Sequence, residues 1–508
     1  MYSKVYSAAL LGINMEMVAV ETDVSDGLPS FEMVGLLNSE VKEARERVRS
    51  AIKNTGYLLP PKRITVNLSP ADIRKEGSSF DLPIAVSILS SLGLIYHRNV
   101  SDEKIMIAGE LSLSGKILPM NGVLPMVIAA REKGIRTFIV PMENAKEGAV
   151  IKDVNIYGMT TLRDVISFLN GTEYESEPYV DFSNMYKDME NIDKEQLDFA
   201  DISGQEAVKR AAKIAVAGMH HMLLIGTPGS GKSMIAKRIP GILPKPNMEE
   251  CMEITKIHSI AGQLKGSNIK LNRPFRAPHH SVTDKALIGG GSNPRPGEIT
   301  LAHRGVLFLD ELAEFKRETI DALRQPLETG EVIINRLNGS YVFPAGIMLV
   351  AATNPCKCGY YPDRNRCSCS EIQVKNYLGK ISGPILDRID ICVNTPPVMV
   401  EDIGKKSSES SEDIRKEIEN VRRIQEERFK GEPYRFNSQI TPSKLEEYCM
   451  LSKEAKSIID KAYKSLGLSV RVYHKMMRVA RTIADLDGEV YVEAKHIAEA
   501  IGYRTEIF

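Results

Sequence analysis

One stretch of eight residues, Gly226-Thr227-Pro228-Gly229-Ser230-Gly231-Lys232-Ser233, constrains this chain more than any other. It reads G-x-x-x-x-G-K-[ST]. The apolar run His221–Ile225 before it has the composition of a buried strand, and Met234 onward opens a helix. That strand–loop–helix setting gives the pattern its chemical meaning. Glycines let successive backbone N–H groups turn inward on phosphate oxygens, and the helix N-terminus adds partial positive charge. In that geometry Lys232 reaches the β- and γ-phosphates of ATP, and the Ser233 hydroxyl ligates Mg²⁺. A glycine-rich turn followed by a chance Lys-Ser is the competing reading, and it leaves the two flanking elements unexplained. The loop therefore predicts an α/β core built on a parallel sheet.

Three downstream stretches complete such a site. Val306-Leu307-Phe308-Leu309-Asp310-Glu311 is an apolar run ending in two carboxylates, the pattern of a buried parallel strand that delivers acids to its carboxyl edge. Asp310 is placed to help hold Mg²⁺ and Glu311 to polarise the attacking water. A further apolar run, Ile347–Ala352, leads into Thr353-Asn354-Pro355. Asn354 suits a polar group near the γ-phosphate, although Asn before Pro is also a common turn. In Ser382–Asp390 (SGPILDRID), Arg388 suits an arginine finger that reaches a neighbouring subunit's nucleotide. An Arg among acids is equally an ordinary surface ion pair.

In this order and spacing the glycine-rich loop, LFLDE, ATNP and LDRID resemble an AAA+ ATPase of the magnesium-chelatase and MCM-helicase branch. Arg273–Ser281 (RPFRAPHHS) and Gly297–Gly305 (GEITLAHRG) are similar to that branch as well. The likeness extends from about residue 3 to 505 and is that of the three-part ComM (YifB) competence family. It implies catalytic roles for Lys232, Asp310, Glu311, Asn354 and Arg388. It adds Arg471 as a second sensor, because Ser469-Val470-Arg471 and Arg478–Leu486 match the family's lid. It also implies a homo-oligomeric, hexameric ring that acts on branched or single-stranded DNA, a helicase promoting branch migration in recombination or natural transformation. The residues alone say only that 440–502 form amphipathic helices with several basic side chains.

The first 170 residues alternate between strand-like and helix-like segments. Val5–Leu11, Met17–Val24, Arg63–Leu68 and Thr137–Val140 read as strands, and Ile105–Leu118 as a hairpin turning at Ser114-Gly115. Helices are expected at Ser39–Thr55, Leu82–Leu94 and Val123–Lys133. In the first of these, Val41, Ala44, Val48 and Ile52 share one face. Lys75–Pro83 (KEGSSFDLP) and Gly109–Pro119 (GELSLSGKILP) resemble the Lon-protease-like, ribosomal S5 domain 2-like fold. Lon-type peptidases need a Ser–Lys pair. Ser79 falls at the nucleophile's place, but Leu124 and Met126 stand where the family has lysines, and Lys116 and Lys133 are out of register. No peptidase activity is expected.

The chain is thus read as a Lon-protease-like α+β domain (1–172), an acidic linker (173–200), an AAA+ core with inserts (201–398) and a helical lid (399–508). A length of 508 residues suits about three domains. The 66 basic and 66 acidic residues cancel, so nucleic acid must be met by a local patch. The N-terminus lacks a basic flank before an apolar core, and the longest apolar stretch, Leu82–Tyr96, is short and carries serines. No membrane partner is expected, and the chain reads as cytoplasmic, its cysteines reduced or metal-bound.

Cys356-Lys357-Cys358 and Cys367-Ser368-Cys369 place four of the seven cysteines within fourteen positions. Two readings stay open: a Cys₄ zinc site, with C-x-C pairs tighter than the usual spacing, or four unligated thiols. The same loop interleaves Lys357, Arg364, Arg366, Lys375 and Lys380 with Tyr360, Tyr361 and Tyr377, a patch suited to nucleic acid or simply to solvent. Cys251, Cys392 and Cys449 are isolated and read as structural. Residues 329–347 read as a β-hairpin turning at Leu337-Asn338-Gly339-Ser340. Likeness to the related helicases makes Arg336 and Asn338 DNA contacts in a central pore. Adjacent His279 and His280 point to opposite sides of a strand and do not suit a shared metal.

Two other functions compete with a DNA motor: a metal-insertion ATPase like the magnesium chelatase subunit, and a protein-remodelling AAA+ ATPase. A phosphate loop does not select among them.

Overall fold

The computed structural model describes every residue except 97–103, 182–184, 186–196, 265–268, 292–293, 337–338, 400, 402–408 and 506–508. Half of the expected linker, and Leu337 and Asn338 of the expected hairpin turn, fall outside the described residues. The chain forms two compact units. The first comprises Met1–Asn191, Met248–Leu271 and Asn335–Val342, and the second Ile192–Asn247, Asn272–Ile334 and Phe343–Phe508.

The first unit is built on a seven-stranded mixed sheet. Its strand order is Ser30–Val34, Arg63–Ser69, Asn14–Ser25, Tyr2–Leu11, Ile105–Ile107, Thr137–Pro141, Asn155–Met159. Period-2 alternation sends Ile105, Ile107 and Ile139 into one core and Met106, Phe138 and Val140 into another. The first core is filled by the helices Ser39–Asn54 and Asp81–Ser91. Asn38 caps the former by accepting from the Val41 N–H, and Val41, Ala44, Val48 and Ile52 form its buried face as expected. The hairpin is smaller than the sequence suggested. Only Glu110–Leu111 and Ile117–Leu118 pair antiparallel, while Ile105–Ile107 runs parallel to Thr137–Pro141 in the main sheet. Its apolar residues are buried on both faces, which a hairpin arm at the surface would not allow.

Leu124 and Met126 are buried on the helix Val123–Glu132, in the second core. Against that helix packs Met248–Ile260, a helix drawn from far along the chain, with Cys251 in the shared core. Glu147 joins the two. Its carboxylate accepts from the Leu124 N–H at 2.8 Å and from the Ser259 hydroxyl. Burial raises its pKa, and those hydrogen bonds oppose the rise.

The second unit carries a five-stranded, all-parallel sheet in the order Phe275–Arg276, Val306–Leu309, Met348–Thr353, Met222–Gly226, Ile391–Thr395. The three central strands are buried at nearly every position, as the unbroken apolar runs require. Four helices, Ser411–Arg428, Lys453–Ser465, Val470–Leu486 and Ala494–Thr505, follow the sheet. They enclose a buried polar cluster in which Asp485 accepts from Arg428 at 2.7 Å, from Asn437 at 2.7 Å and from Arg481 at 3.0 Å. The two guanidiniums share one carboxylate, and Arg481 also donates to the Val490 and Glu489 carbonyls, so the buried groups are hydrogen-bonded, which is the condition for burying them.

Candidate active site

Parallel strands end together, so the residues just beyond their ends gather at one edge. Met222–Gly226 lies between Met348–Thr353 and Ile391–Thr395, with Ile225 opposite Thr353 and Gly226 opposite Thr395. Leu309 lies opposite Ala351. Gly226, Asp310, Asn354 and Thr395 therefore all stand at the carboxyl edge, where open α/β sheets bind ligands. Gly226 is glycine for want of room, since a Cβ there would lie 2.5 Å from the Thr395 carbonyl oxygen. Gly229 and Gly231 have φ of 78° and 86°, the left-handed backbone that curls the loop before the helix Lys232–Ile242.

Within this loop Lys232 is nearly buried. Its ammonium donates to the carbonyls of Gly226 at 2.7 Å and Thr227 at 2.9 Å, and to Asn354 Oδ1 at 3.2 Å. Burial lowers its pKa, and the charges of Asp310 and Glu311 oppose the drop. Ser233 Oγ donates to Asp310 Oδ2 at 2.6 Å. A hydroxyl and a carboxylate converging on one point form the hard oxygen donor set that suits Mg²⁺. Glu311 is exposed and has φ of 52°, a conformation costly for a residue with a Cβ and frequent where function imposes it. Its N–H donates to Asp310 Oδ1 at 3.0 Å, which fixes the two acids relative to each other.

Lys232, Ser233, Asp310, Glu311 and Asn354 are thus assembled in one place. Arg388 and Arg471 are held elsewhere in the same unit. The Arg388 guanidinium pairs with Glu328 and donates to the carbonyls of Arg324 at 3.0 Å and Pro384 at 2.7 Å. Arg471 is exposed in the first turn of Val470–Leu486, a helix capped by Ser469.

Gln205 belongs to the site and carried no role in the sequence reading. Its φ is 59°, and its Nε2 donates to the carbonyls of Ser230 at 2.7 Å and Pro396 at 2.8 Å. It pins the phosphate loop to the segment beyond the last strand. Beside it, Ile202, Gly231, Met234, Ile235 and Val398 line a largely apolar cleft of about 210 Å³. The only signal in the sequence was the polar cluster Ser203-Gly204-Gln205 opening a helix. His280 reads from the sequence as a loop or supporting histidine with no named partner. Its Nδ1 lies 3.6 Å from Glu311 Oε2, and its ring lies tilted at 36° to that of His279 with centroids 4.0 Å apart; the two do not point to opposite sides of a strand as expected, because they lie in the loop beyond Phe275–Arg276. Two stretches quoted for likeness alone, RPFRAPHHS and GEITLAHRG, meet through a two-pronged pair. Arg276 donates to Glu298 at 2.6 and 2.8 Å.

The four clustered cysteines converge. Their sulfurs all lie within 4.8 Å of one another. Cys356 is 3.3 Å from Cys358 and 3.7 Å from Cys367, and Cys358 is 3.5 Å from Cys367. A tetrahedron with Zn–S bonds of about 2.3 Å has S···S edges of about 3.8 Å, so the donor set and spacing fit zinc. Around the cluster Arg366 lies over Tyr360 at 4.1 Å and Arg364 over Tyr361 at 5.1 Å. Glu331–Arg336 and Gly339–Pro344 form the expected two-stranded ribbon, with Arg336 exposed near its tip. Cys251, Cys392 and Cys449 are separately buried. No described helix is long and apolar enough to cross a membrane.

Comparison with known proteins agrees with this architecture. The family described as "Magnesium chelatase, subunit ChlI" matches residues 198–403, "Subunit ChlI of Mg-chelatase" matches 20–144, and the ChlI C-terminal family matches 408–504. Competence protein ComM of Haemophilus influenzae is 43% identical over 99% of this chain and 97% of its own. YifB of Escherichia coli, an uncharacterized protein, is 38% identical over 99% of this chain and 97% of its own. A Lon protease of Methanosphaera stadtmanae is 27% identical over 27% of this chain and 17% of its own. The expected fold class is shown: a parallel AAA+ sheet core with a helical C-terminal region, preceded by a Lon-like region. The protein belongs to the ComM/YifB family of magnesium-chelatase-like AAA+ ATPases.

Proposed function

We propose that this protein is an ATP-driven ring motor that acts on DNA, a helicase promoting branch migration in recombination or natural transformation. The observation that carries the ATP-driven part is the convergence of Lys232, Ser233, Asp310 and Asn354 at one sheet edge, with Glu311 beside them. The backbone N–H groups of Gly229–Ser233 cradle the phosphates. Lys232 gives up its loop carbonyls for the β- and γ-phosphates and keeps Asn354 within reach of the γ-phosphate. Ser233 and Asp310 hold Mg²⁺, which supplies charge neutralisation on the transferring phosphate. Glu311 orients and polarises the attacking water, with His280 steadying its carboxylate. The apolar cleft beside Gln205 takes the base. Arg388 of a neighbouring subunit, after leaving Glu328, supplies a cation on the far side of the γ-phosphate. Arg471 acts on the nucleotide from the lid. An arginine finger requires an oligomer, and a hexamer is the reading for this class.

DNA is supported by likeness to a competence protein and by two features of this chain. The ribbon Glu331–Pro344 carries Arg336, and the cysteine loop carries the stacked pairs Arg366–Tyr360 and Arg364–Tyr361. Arginine and tyrosine together suit phosphate and base stacking. We assign zinc to Cys356, Cys358, Cys367 and Cys369 on their sulfur spacing. Leu124 and Met126, buried where a Lon-type lysine would stand, support a first unit without peptidase activity.

The test measures ATP hydrolysis with and without forked and four-way DNA, and strand exchange on the same substrates. Lys232→Ala and Glu311→Gln serve as controls. Stimulation of hydrolysis and strand movement are expected. ATPase activity indifferent to DNA, with no strand movement by the assembled protein, sinks the DNA reading and leaves a metal-insertion or protein-remodelling ATPase.

A further inference from the structure

The cysteine cluster is joined to the nucleotide site at two points. The first is covalent. Strand Met348–Thr353 runs directly into Asn354, the acceptor of the Lys232 ammonium, and Cys356 comes two residues later. The second is a packing contact. The turn through Cys356–Gly359, closed by the Gly359 N–H donating to the Cys356 carbonyl at 3.0 Å, sets Gly359 against Pro228 of the phosphate loop. A Cβ built on Gly359 would lie 2.5 Å from Pro228 Cδ and 2.7 Å from Cγ, and the φ of Gly359 is 89°. Only glycine satisfies both the backbone and the approach. Cys356 is fully buried and Cys367 nearly so. The helix Glu371–Leu378, just after the last cysteine, buries Tyr377. The cluster is therefore wedged between the phosphate loop and the strand that carries Asn354.

Resting on the zinc and nucleotide readings above, we propose that the four-thiolate site is a brace for the phosphate loop. Metal held by Cys356, Cys358, Cys367 and Cys369 fixes the Cys356–Gly359 turn, which holds Pro228 and Asn354 in register for the triphosphate. A short C-x-C turn has no core of its own. Among the described residues, the apolar side chains packed with the thiols are few: Val374, Tyr360, Tyr361 and Leu378. Without metal, thiols held this close have nothing but weak S–H contacts to keep them together. The turn then relaxes, and Gly359 leaves Pro228. Zinc occupancy accordingly sets nucleotide affinity through a site that does not touch the nucleotide.

The experiment uses the full-length protein, with zinc content measured by metal analysis and nucleotide affinity measured with a fluorescent ATP analogue in the absence of DNA. One zinc per chain is expected as purified under reducing conditions. Removing it with a thiol-competing chelator is expected to weaken nucleotide binding by about tenfold, within the range of coupling between two sites on one protein. Amide exchange over Gly229–Ser233 should quicken at the same time. Pro228→Ala supplies the second arm, since it deletes the packing contact and leaves the thiols intact. It should retain zinc, bind nucleotide more weakly than the parent, and lose little further affinity when zinc is removed. Lys232→Ala controls for the nucleotide site itself. A protein without stoichiometric zinc overturns the metal assignment and the brace with it. Zinc that can be removed with no change in affinity or exchange overturns the brace alone, as does a full zinc effect persisting in Pro228→Ala.

Discussion

Lys475 donates to Asp390 across 2.6 Å, with the two side chains only 12% and 8% exposed. Asp390 ends the LDRID motif, two residues beyond Arg388. Lys475 lies one turn along the helix that opens at Val470-Arg471. The same carboxylate accepts from the His221 N–H at 3.1 Å, at the entry to the phosphate-loop strand. One buried anion thus ties together the segment that carries Arg388, the helix Val470–Leu486 and the strand that aims the loop. Burial alone would raise its pKa, but Lys475 and then His220 and His221 hold it well below the usual carboxylate range.

Removing either partner leaves the other charge buried and alone. Lys475→Met and Asp390→Asn should each cost about 3–5 kcal/mol in the stability of the second unit. The double variant should lose much less than the sum of the two. Chemical denaturation of the four proteins measures this. Fully additive losses would show that the pair is not coupled.

Asp390 is not the group that makes the protein sensitive to mild acid. A carboxylate with a depressed folded-state pKa keeps its contribution above the unfolded value and loses it only as pH falls through the folded one. His221 behaves differently. Burial lowers its imidazole to about 4, from an ordinary value of 6.5. Between those two values the unfolded chain binds the extra proton, so stability falls as pH drops from about 6.5 toward 4, by up to about 1.4 kcal/mol per pH unit. Denaturation midpoints at pH 7.5, 6 and 5 should show this slope, and His221→Gln should flatten it. An unchanged slope in that variant assigns the acid sensitivity to other groups.

Glu311 and Lys232 should separate hydrolysis from binding. Glu311→Gln keeps the shape and loses the charge that polarises water, so turnover should fall about 10²–10⁴-fold with nucleotide affinity retained. Lys232→Ala should lose both. A Glu311→Gln protein that hydrolyses ATP at near the parental rate would remove the residue from the mechanism.

Arg388→Ala should bind nucleotide normally and hydrolyse it about 10³-fold more slowly. Mixing makes the trans assignment sharper. Assemblies formed from Arg388→Ala and Glu311→Gln chains contain some sites with an intact Glu311 on one subunit and an intact Arg388 on the next. Those mixtures should regain activity that neither parent has. Absence of recovery in mixed assemblies would place Arg388 in its own subunit's stability, as its pairing with Glu328 already allows.

The phosphate loop and the acidic strand were legible because their chemistry is local in sequence. A strand, a turn and a helix start within a dozen residues, and apolar runs ending in Asp-Glu report burial directly. The amphipathic face of Ser39–Asn54 was legible for the same reason. Gln205 and His280 were not, because each acts through a partner far along the chain, the carbonyl of Pro396 and the carboxylate of Glu311. The strand Ile105–Ile107 was misjudged as a hairpin arm. Three apolar residues cannot declare whether their neighbour is the next segment or one thirty residues on. Convergence of four cysteines was one of the two readings the spacing left open, but their abutment on Pro228 rests on a glycine that looks like any other turn residue.

The helix Met248–Ile260 lies in sequence between Lys232 and Asp310, inside the stretch that encodes the nucleotide site, yet it is folded into the first unit with Cys251 in that unit's core and Ser259 on Glu147. A fragment beginning at Ile192 would still carry this helix, stripped of the surface that covers it. A fragment ending at Asn191 would leave the Glu147 carboxylate buried beside a missing hydroxyl. The two units therefore cannot be separated intact by a single cut of the chain. The chain is interleaved, so the sequence passes from one unit to the other more than once.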